Sequence, residues 1–338
     1  MARLLAIAVL FIAIIGGALA LLWPRQQSGL VLYSAVDYGP QVAAAFTKQT
    51  GIPVHVIDLS TGALLAKISA EGHHPAWTMA WFDGDMAAAA LDAAGLVERH
   101  SVPKLNFTAL GRSLVPADGS YTPTGLTLAG AFSYHPAQLA DVPTSWQGLL
   151  NPALAGGVGM NNPAISGPTY PILAAMLAQA GGWPKGQAFV KQLIAAGLHN
   201  YTKNANTLAA LRSGEIKLAV TQSSAAWFVA ARDPSLRVQI PDPSFALPSV
   251  IVAAQGLNPK EARLVARFIR FASSAKIQTL RMRTGNADGY YWPLIKGIRA
   301  LHHLPRLATL HVVHLDPRLW GPRESRINAW FSTQVTNK

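Results

Sequence analysis

Asp58-Leu-Ser-Thr-Gly-Ala-Leu-Leu-Ala-Lys-Ile-Ser-Ala-Glu-Gly72 passes from one kind of backbone to another. The apolar, β-branched residues around its start (Ile52, Val54, Val56, Ile57) predict a strand. After it, Leu64, Leu65 and Ile68 fall on one face at helical spacing. Ser60, Thr61 and Gly62 therefore sit where a strand hands over to a helix N-terminus. The first N–H groups of a helix lack intrahelical partners and carry a partial positive charge, which suits an anion. Ser and Thr are also the ordinary N-caps of helices, so one such junction says little. Its weight comes from recurrence.

Working outward, strand and helix patterns alternate. Leu30-Val-Leu-Tyr33 predicts a strand ending at Ser34, and Pro40 starts a helix that Gly51 stops. Thr78-Met-Ala-Trp-Phe82 predicts a buried strand, followed by Asp83-Gly-Asp85 and an Ala-rich helix over 86–94. This rhythm predicts a parallel sheet with helices on both faces, whose ligands bind beyond the carboxyl ends of the strands. Between Pro116 and Pro136, glycines and prolines punctuate short β-like pieces, and a crossing into a second lobe is expected there. A second series follows: a strand over 157–160, a loop over 161–167, helices over 169–180, 185–196 and 207–213, and a strand over 217–221. Phe245 to Ala254 predicts a return crossing, and a helix over 259–273 then packs on the first lobe. The fold class is thus α/β, with two lobes expected over 30–122 plus 255–300 and over 131–245. Residues 301–338 are expected to form a basic helical segment.

Composition narrows the class. The chain of 338 residues has 28 Lys+Arg against 16 Asp+Glu, a net charge of +12 with only 13% charged residues. The basic residues form no nucleic-acid patch; they rise towards the end (Arg263, Arg267, Arg270, Lys276, Arg281, Arg283) on helix-like segments that predict a solvated face. No nucleic-acid partner is expected, only a general attraction for anions. The absence of cysteine excludes disulfides and thiolate chemistry. Leu4 to Trp23 is an unbroken apolar run after Arg3, which predicts a secretory signal with Ala18-Leu-Ala20 as cleavage site, or an uncleaved membrane anchor. Either way the folded part is expected outside the cytoplasm, in the periplasm.

Four strand ends deliver small polar groups: Ser34; Ser60-Thr-Gly62; Asn161-Asn162 through Ser166, Gly167 and Thr169; and Gln222-Ser223-Ser224. No histidine, lysine or carboxylate stands beside these serines, and no G-x-S-x-G elbow, P-loop or G-x-G-x-x-G is present. Neutral donors from two lobes suit binding by many hydrogen bonds, not proton transfer. Asp37, Asp83 and Asp85 are candidates for capping the helices that follow them, and Asp83 or Asp37 for meeting an ammonium group. Trp81 and Trp227 are candidates for the cleft wall. His311 and His314 match no metal spacing and predict surface roles.

Leu30-Val-Leu-Tyr-Ser-Ala35, Leu59-Ser-Thr-Gly-x-Leu-Leu65, Trp81-Phe82-x-Gly84, Asn162-Pro-Ala-x-Ser-Gly167 and Asn258-Pro-x-Glu-Ala262 resemble the iron- and phosphonate-type periplasmic solute-binding proteins, in order and at the family's spacing. The resemblance implies a type II periplasmic-binding-protein fold, two α/β lobes joined by a two-segment hinge, closing on a ligand. It also implies an ABC permease in the inner membrane as partner, no cofactor, and a monomer. Ferric-binding members carry a tyrosine pair just after the strand matching 218–222; here that place holds Ala225-Ala-Trp-Phe228. Their first-lobe carboxylate falls near Asp83. Tyr290-Tyr291 lies where relatives carry a Tyr-Pro-like motif, which implies packing. The sites implied are Ser34, Ser60, Thr61, Gly62, Asp83, Asn162, Ser166, Gly167, Thr169, Gln222, Ser223 and Trp227. A small anionic solute follows, an organophosphonate such as 2-aminoethylphosphonate or a phosphate ester. A ferric-iron receptor, a membrane-anchored enzyme on the same fold, and a degenerate relative acting as sensor or assembly partner remain the alternatives.

Overall fold

The computed structural model describes residues 29–336. The expected signal or anchor segment lies outside the described residues, and no described helix is long and apolar enough to cross a membrane. The chain enters through β1 (Leu30–Ser34) and α1 (Gly39–Thr50), which Gly51 stops at φ 71°. β2 (Val54–Asp58), α2 (Thr61–Glu71), β3 (Met79–Asp83) and α3 (Asp85–Ala93) follow, then a short α4 (Ala109–Ser113) and β4 (Thr122–Ala129). β1 pairs in parallel with both β2 and β3, as alternating strands and helices require. Leu30, Leu32, Met79 and Trp81 face α1 on one side of this sheet, while Tyr33, Ala80 and Phe82 face α2 and α3 on the other.

Gly130 makes the first crossing. It adopts φ +88°, and a Cβ there would lie 2.1 Å from the Trp146 ring, so only glycine fits. The second lobe comprises β5 (Ala131–Tyr134), β6 (Val158–Asn161), α5 (Thr169–Gln179), α6 (Gln187–Ala195), β7 (His199–Tyr201), α7 (Asn204–Ser213), β8 (Leu218–Thr221), α8 (Ser223–Ala230) and β9 (Arg237–Gln239). Its sheet runs β7-β6-β8-β5-β9. The second crossing falls at residues 240–243, before β10 (Ser244–Ala253). β10 therefore lies in the first sheet instead of being the crossing itself, antiparallel to β4 over Phe245–Ile251 and to β3 over Ser249–Ala253. α9 (Pro259–Ala272) opens on an Asn258–Glu261 capping box and buries Val265, Phe268 and Ile269 in the first lobe. α10 (Ala275–Thr284) and a 3-10 turn over Asn286–Gly289 complete that lobe.

The C-terminal segment is not purely helical. β11 (Val312–Val313) adds a parallel edge to β10, then α11 (Pro317–Trp320) leads into α12 (Glu324–Thr336). Trp320, Ile327 and Phe331 join the core of the second lobe, and Tyr170 OH donates to the Trp320 carbonyl at 2.6 Å. The segment is thus held by both lobes. His314, read from sequence as a surface residue, hydrogen-bonds the buried Asp85 carboxylate at 2.6 Å. Burial works against its charge, but the Asp85 hydrogen bond and charge hold its pKa above the ordinary imidazole value.

Candidate ligand-binding site

A cavity of about 610 Å3 lies between the lobes, a size usual for small-molecule sites. Asp37, Ser60, Thr61 and Asp83 line it from the first lobe, and Ser166, Gly167, Asn204 and Gln222 from the second. Four helices begin at its wall. Thr61 opens α2, Pro168 precedes α5, Asn204 opens α7 and Gln222 precedes α8. Ser60 Oγ caps α2 by accepting from Ala63 N–H at 3.4 Å, while α5, α7 and α8 have no side-chain cap. Their first-turn N–H groups are therefore not consumed by capping side chains, and the helix dipoles bring partial positive charge to one space. Asn161, 1% exposed at the end of β6, braces two of these starts. Its carboxamide meets Ser166 Oγ at 3.2 Å, Asn204 Oδ1 at 2.6 Å and Thr207 Oγ1 at 2.5 Å.

The same cavity also carries carboxylates. Asp83, 5% exposed at the end of β3, accepts a short hydrogen bond from Ser249 Oγ. Asp288, in the 3-10 turn, accepts from Asp37 N–H at 2.8 Å and from Gln222 Nε2 at 3.2 Å. Burial pushes Asp83 up to about 6; the Ser249 hydrogen bond and the Arg281 charge oppose the rise, and the Asp37 charge adds to it. Burial, then the Asp83 and Asp37 charges, holds Asp288 well above the usual carboxylate range. Burial, then the Asp58 charge, raises Asp37. Three acids compete for one region, and Gln222 Oε1 is buried beside them without a partner. That corner is rich in acceptors, while Lys203 and Arg212 line the cavity from the second lobe.

The profile of the bacterial extracellular solute-binding proteins matches residues 41–306, well over half of the chain. The chain belongs to this family. A protein described as a putative 2-aminoethylphosphonate-binding periplasmic protein, from Salmonella paratyphi A, is 24% identical over 244 residues, covering 70% of this chain and 68% of that one. Among solved structures, the periplasmic binding protein P5PA superposes with a TM-score of 0.78 at 22% identity, covering 91% of this chain and 100% of that one. AfuA from Actinobacillus pleuropneumoniae, with exogenous fructose-6-phosphate bound, gives 0.79 at 17% identity, over 91% of this chain and 98% of its own. The fold is that of the periplasmic binding proteins.

In this solute-binding protein the cavity brings together Ser60, Thr61, Asp83, Ser166, Gly167 and Gln222 of the residues singled out from sequence. The others lie off its wall. Ser34 Oγ accepts from Val36 N–H at 3.3 Å, fixing the turn after β1. Asn162 Oδ1 accepts from Ala164 N–H at 2.9 Å, and Ser223 Oγ accepts from Leu128 N–H at 2.9 Å. Thr169 is fully buried and its Oγ1 has no partner. Trp227 packs with the cluster around Tyr290, Trp292 and Leu128. Gly62 faces the loop of the opposite lobe, where a Cβ would meet the Ala164 carbonyl at 2.9 Å.

None of Asp37, Asp83 and Asp85 caps a helix, because the capping positions of α1 and α3 are Tyr38 and Gly84. Trp81 is core, with its Nε1 donating to Thr124 Oγ1 at 3.0 Å. Tyr291 OH donates to Gln278 Oε1, and Tyr290 packs edge-on to Phe228 with ring centroids 5.9 Å apart. Neither tyrosine lines the cavity. Among the described residues no group of three or more His, Asp or Glu is placed to hold a metal ion. Sequence reasoning missed Asn204 and Asp288, and singled out Asn161 with Asn162 as a strand-end polar group. Asn204 is at the start of α7, read as beginning at 207 because asparagines favour turns over helix interiors.

Proposed function

We infer that the chain is the periplasmic receptor of an ABC importer and captures a small zwitterion with an anionic head and an amine, an aminoalkylphosphonate such as 2-aminoethylphosphonate. One observation carries the reading: the same cavity holds four helix N-termini and three carboxylates. A simple anion would leave the acids and Gln222 Oε1 unanswered. A simple cation would leave the helix starts and hydroxyls unanswered. An amine donating to Asp83, Asp288 or Gln222, with a phosphonate accepting from Thr61, Ser166 and the N–H groups of α7, answers both. The name of the Salmonella relative supports the same ligand class. On this reading the protein carries out no chemical step; it closes, hands the ligand to a permease in the inner membrane, and acts as a monomer. The apolar N-terminal run exports it or tethers it.

Isothermal titration with 2-aminoethylphosphonate, ethylphosphonate, ethylamine and fructose-6-phosphate tests the reading. Micromolar binding of the first needs about 8 kcal/mol, within reach of a handful of charge-assisted hydrogen bonds at roughly 1.5–3 kcal/mol each. Ethylphosphonate and ethylamine should each bind at least tenfold more weakly. Equal affinity for 2-aminoethylphosphonate and ethylphosphonate would remove the amine from the reading.

A further inference from the structure

Arg281, read from sequence as part of a solvated basic face, is instead fully buried on α10, where it packs among aromatic rings, and it does not line the cavity. Its guanidinium carbon lies 4.3 Å from the ring centre of Tyr38, 4.9 Å from Trp81 and 4.5 Å from Tyr291. Nη1 donates to the Thr124 carbonyl at 2.8 Å, Nη2 to Tyr38 OH at 2.9 Å, and Nε has no partner. None of the ion pairs among the described residues includes it. A buried guanidinium without a carboxylate is costly, and ring faces offset only part of that cost. The tyrosines around it supply no negative charge at neutral pH: burial raises both, Tyr291 to about 12.

Two short chains lead from Arg281 to the cavity acids. Tyr38 adjoins Asp37, whose N–H is held by Asp288. Thr124, whose carbonyl accepts from Arg281, donates through Oγ1 to the Ser249 carbonyl at 3.1 Å, and Ser249 Oγ donates to Asp83. One buried cation thus stands behind Asp83, the acid that Asp37 and Asp288 crowd.

We propose that Arg281 is the fixed counter-charge of the ligand site, a positioning residue that holds Asp83 ionised beside the ligand's amine without touching it. The inference rests on the zwitterion reading above. The charged groups facing this cavity are Asp37 beside α1, Asp58 on β2, Asp83 on β3, Asp288 in the 3-10 turn, Lys203 before α7, Arg212 on α7 and Arg281 itself. Removing Arg281 takes away the positive charge that opposes the rise at Asp83, so this acid takes up a proton at higher pH.

The affinities of 2-aminoethylphosphonate and ethylphosphonate, measured by titration calorimetry from pH 5 to 8.5, test this in the wild type, Arg281→Met and Arg281→Lys. Their ratio cancels titration of the phosphonate and isolates the amine. In the wild type the ratio should favour the amine at high pH and collapse on acidification. In Arg281→Met the collapse should move up by about one pH unit or more, with the high-pH ratio kept; Arg281→Lys should keep the wild-type midpoint. A merely structural arginine would lower both affinities at every pH and leave the midpoint in place, and that result overturns the proposal. Should Arg281→Met fail to fold, Arg281→Lys decides, because loss of the amine preference with the charge retained also overturns it. A wild type without amine preference refutes the ligand reading itself, and is seen before any variant is made.

Discussion

Replacing Gly167 by alanine tests whether ligand capture depends on close approach of the lobes. Gly167 lies in the second-lobe loop before α5, directly against Thr61 at the start of α2. A Cβ at Gly167 would stand 2.3 Å from Thr61 Oγ1, 2.4 Å from its Cβ and 2.6 Å from its Cγ2. Ordinary contact begins at 3.4 Å, so the surfaces must part by 3.4 − 2.3 = 1.1 Å. The backbone at Gly167 carries no left-handed φ, so alanine brings no conformational strain of its own. The two residues belong to different lobes, and opening the cleft relieves the clash. The penalty therefore falls on the closed, ligand-bound form. Overpacking of this kind costs about 1–3 kcal/mol, which is roughly 5- to 150-fold in Kd at 1.4 kcal/mol per tenfold. Titration calorimetry with 2-aminoethylphosphonate measures the loss, and thermal melting of the ligand-free protein should stay within about 1 °C of wild type. Binding within twofold of wild type would show that closure does not bring Gly167 onto Thr61. A fall in the ligand-free melting temperature would show instead that the contact belongs to folding.

Other expected outcomes follow from the same geometry. Thr61→Ala and Ser166→Ala should each weaken phosphonate binding about 10- to 100-fold, with melting unchanged, because their hydroxyls face the cavity; a drop in melting temperature without loss of affinity would make them structural. Asp83→Asn should abolish the preference for an amine yet stabilise the ligand-free protein near pH 7. Its folded pKa of about 6 lies above the ordinary 3.8, so ionisation penalises the folded state by on the order of 3 kcal/mol above pH 6 and by nothing below about pH 4. Melting curves at pH 7.5 and 4.5 check this, the variant's gain appearing only at the higher pH. His314→Gln should destabilise by about 1–3 kcal/mol at pH 6, where the Asp85 pair is charged. That loss should fade as pH rises through the raised histidine pKa; a loss independent of pH would rule out the ion pair as its cause.

What the sequence revealed, it revealed through periodicity. The β-branched run before Ser60 and the helical spacing after it placed β2, α2 and their junction because both signals are local. The junctions at Ser166 and Gln222 were legible for the same reason. Asp288 was not, since Asn286-Ala-Asp-Gly289 reads as an ordinary turn and lies 251 residues from Asp37. Only tertiary folding brings those two together. Ser34 and Ser223 show the converse failure. Each is a small hydroxyl near a strand end, but its side chain turns inward to hold backbone, and local pattern does not distinguish the two orientations. Trp227 was placed in the cleft by its position after β8, whereas the apolar cluster around Tyr290 claims it.

The features the sequence hid are also those that cost the ligand-free fold most. A buried acid with a raised pKa, a guanidinium without an ion pair and an amide oxygen without a donor each violate the rule that buried polar groups are answered. Asp83 and Gln222 share one wall of the cavity with Arg281 behind it, while other unanswered groups, the raised Glu324 carboxyl and Asn200 Oδ1 among them, lie outside it. Packing alone would exchange such groups for apolar side chains at little loss or some gain. Together at the cleft, Asp83 and Gln222 point to a ligand that supplies what is missing, namely a donor for Gln222 Oε1 and a positive charge for the acids. The costs then become binding energy when the lobes close, and stabilising the empty protein should weaken capture. Asp83→Asn examines both sides of that exchange in one variant: a gain in melting temperature at neutral pH paired with a loss of amine preference supports it, and either change without the other refutes it.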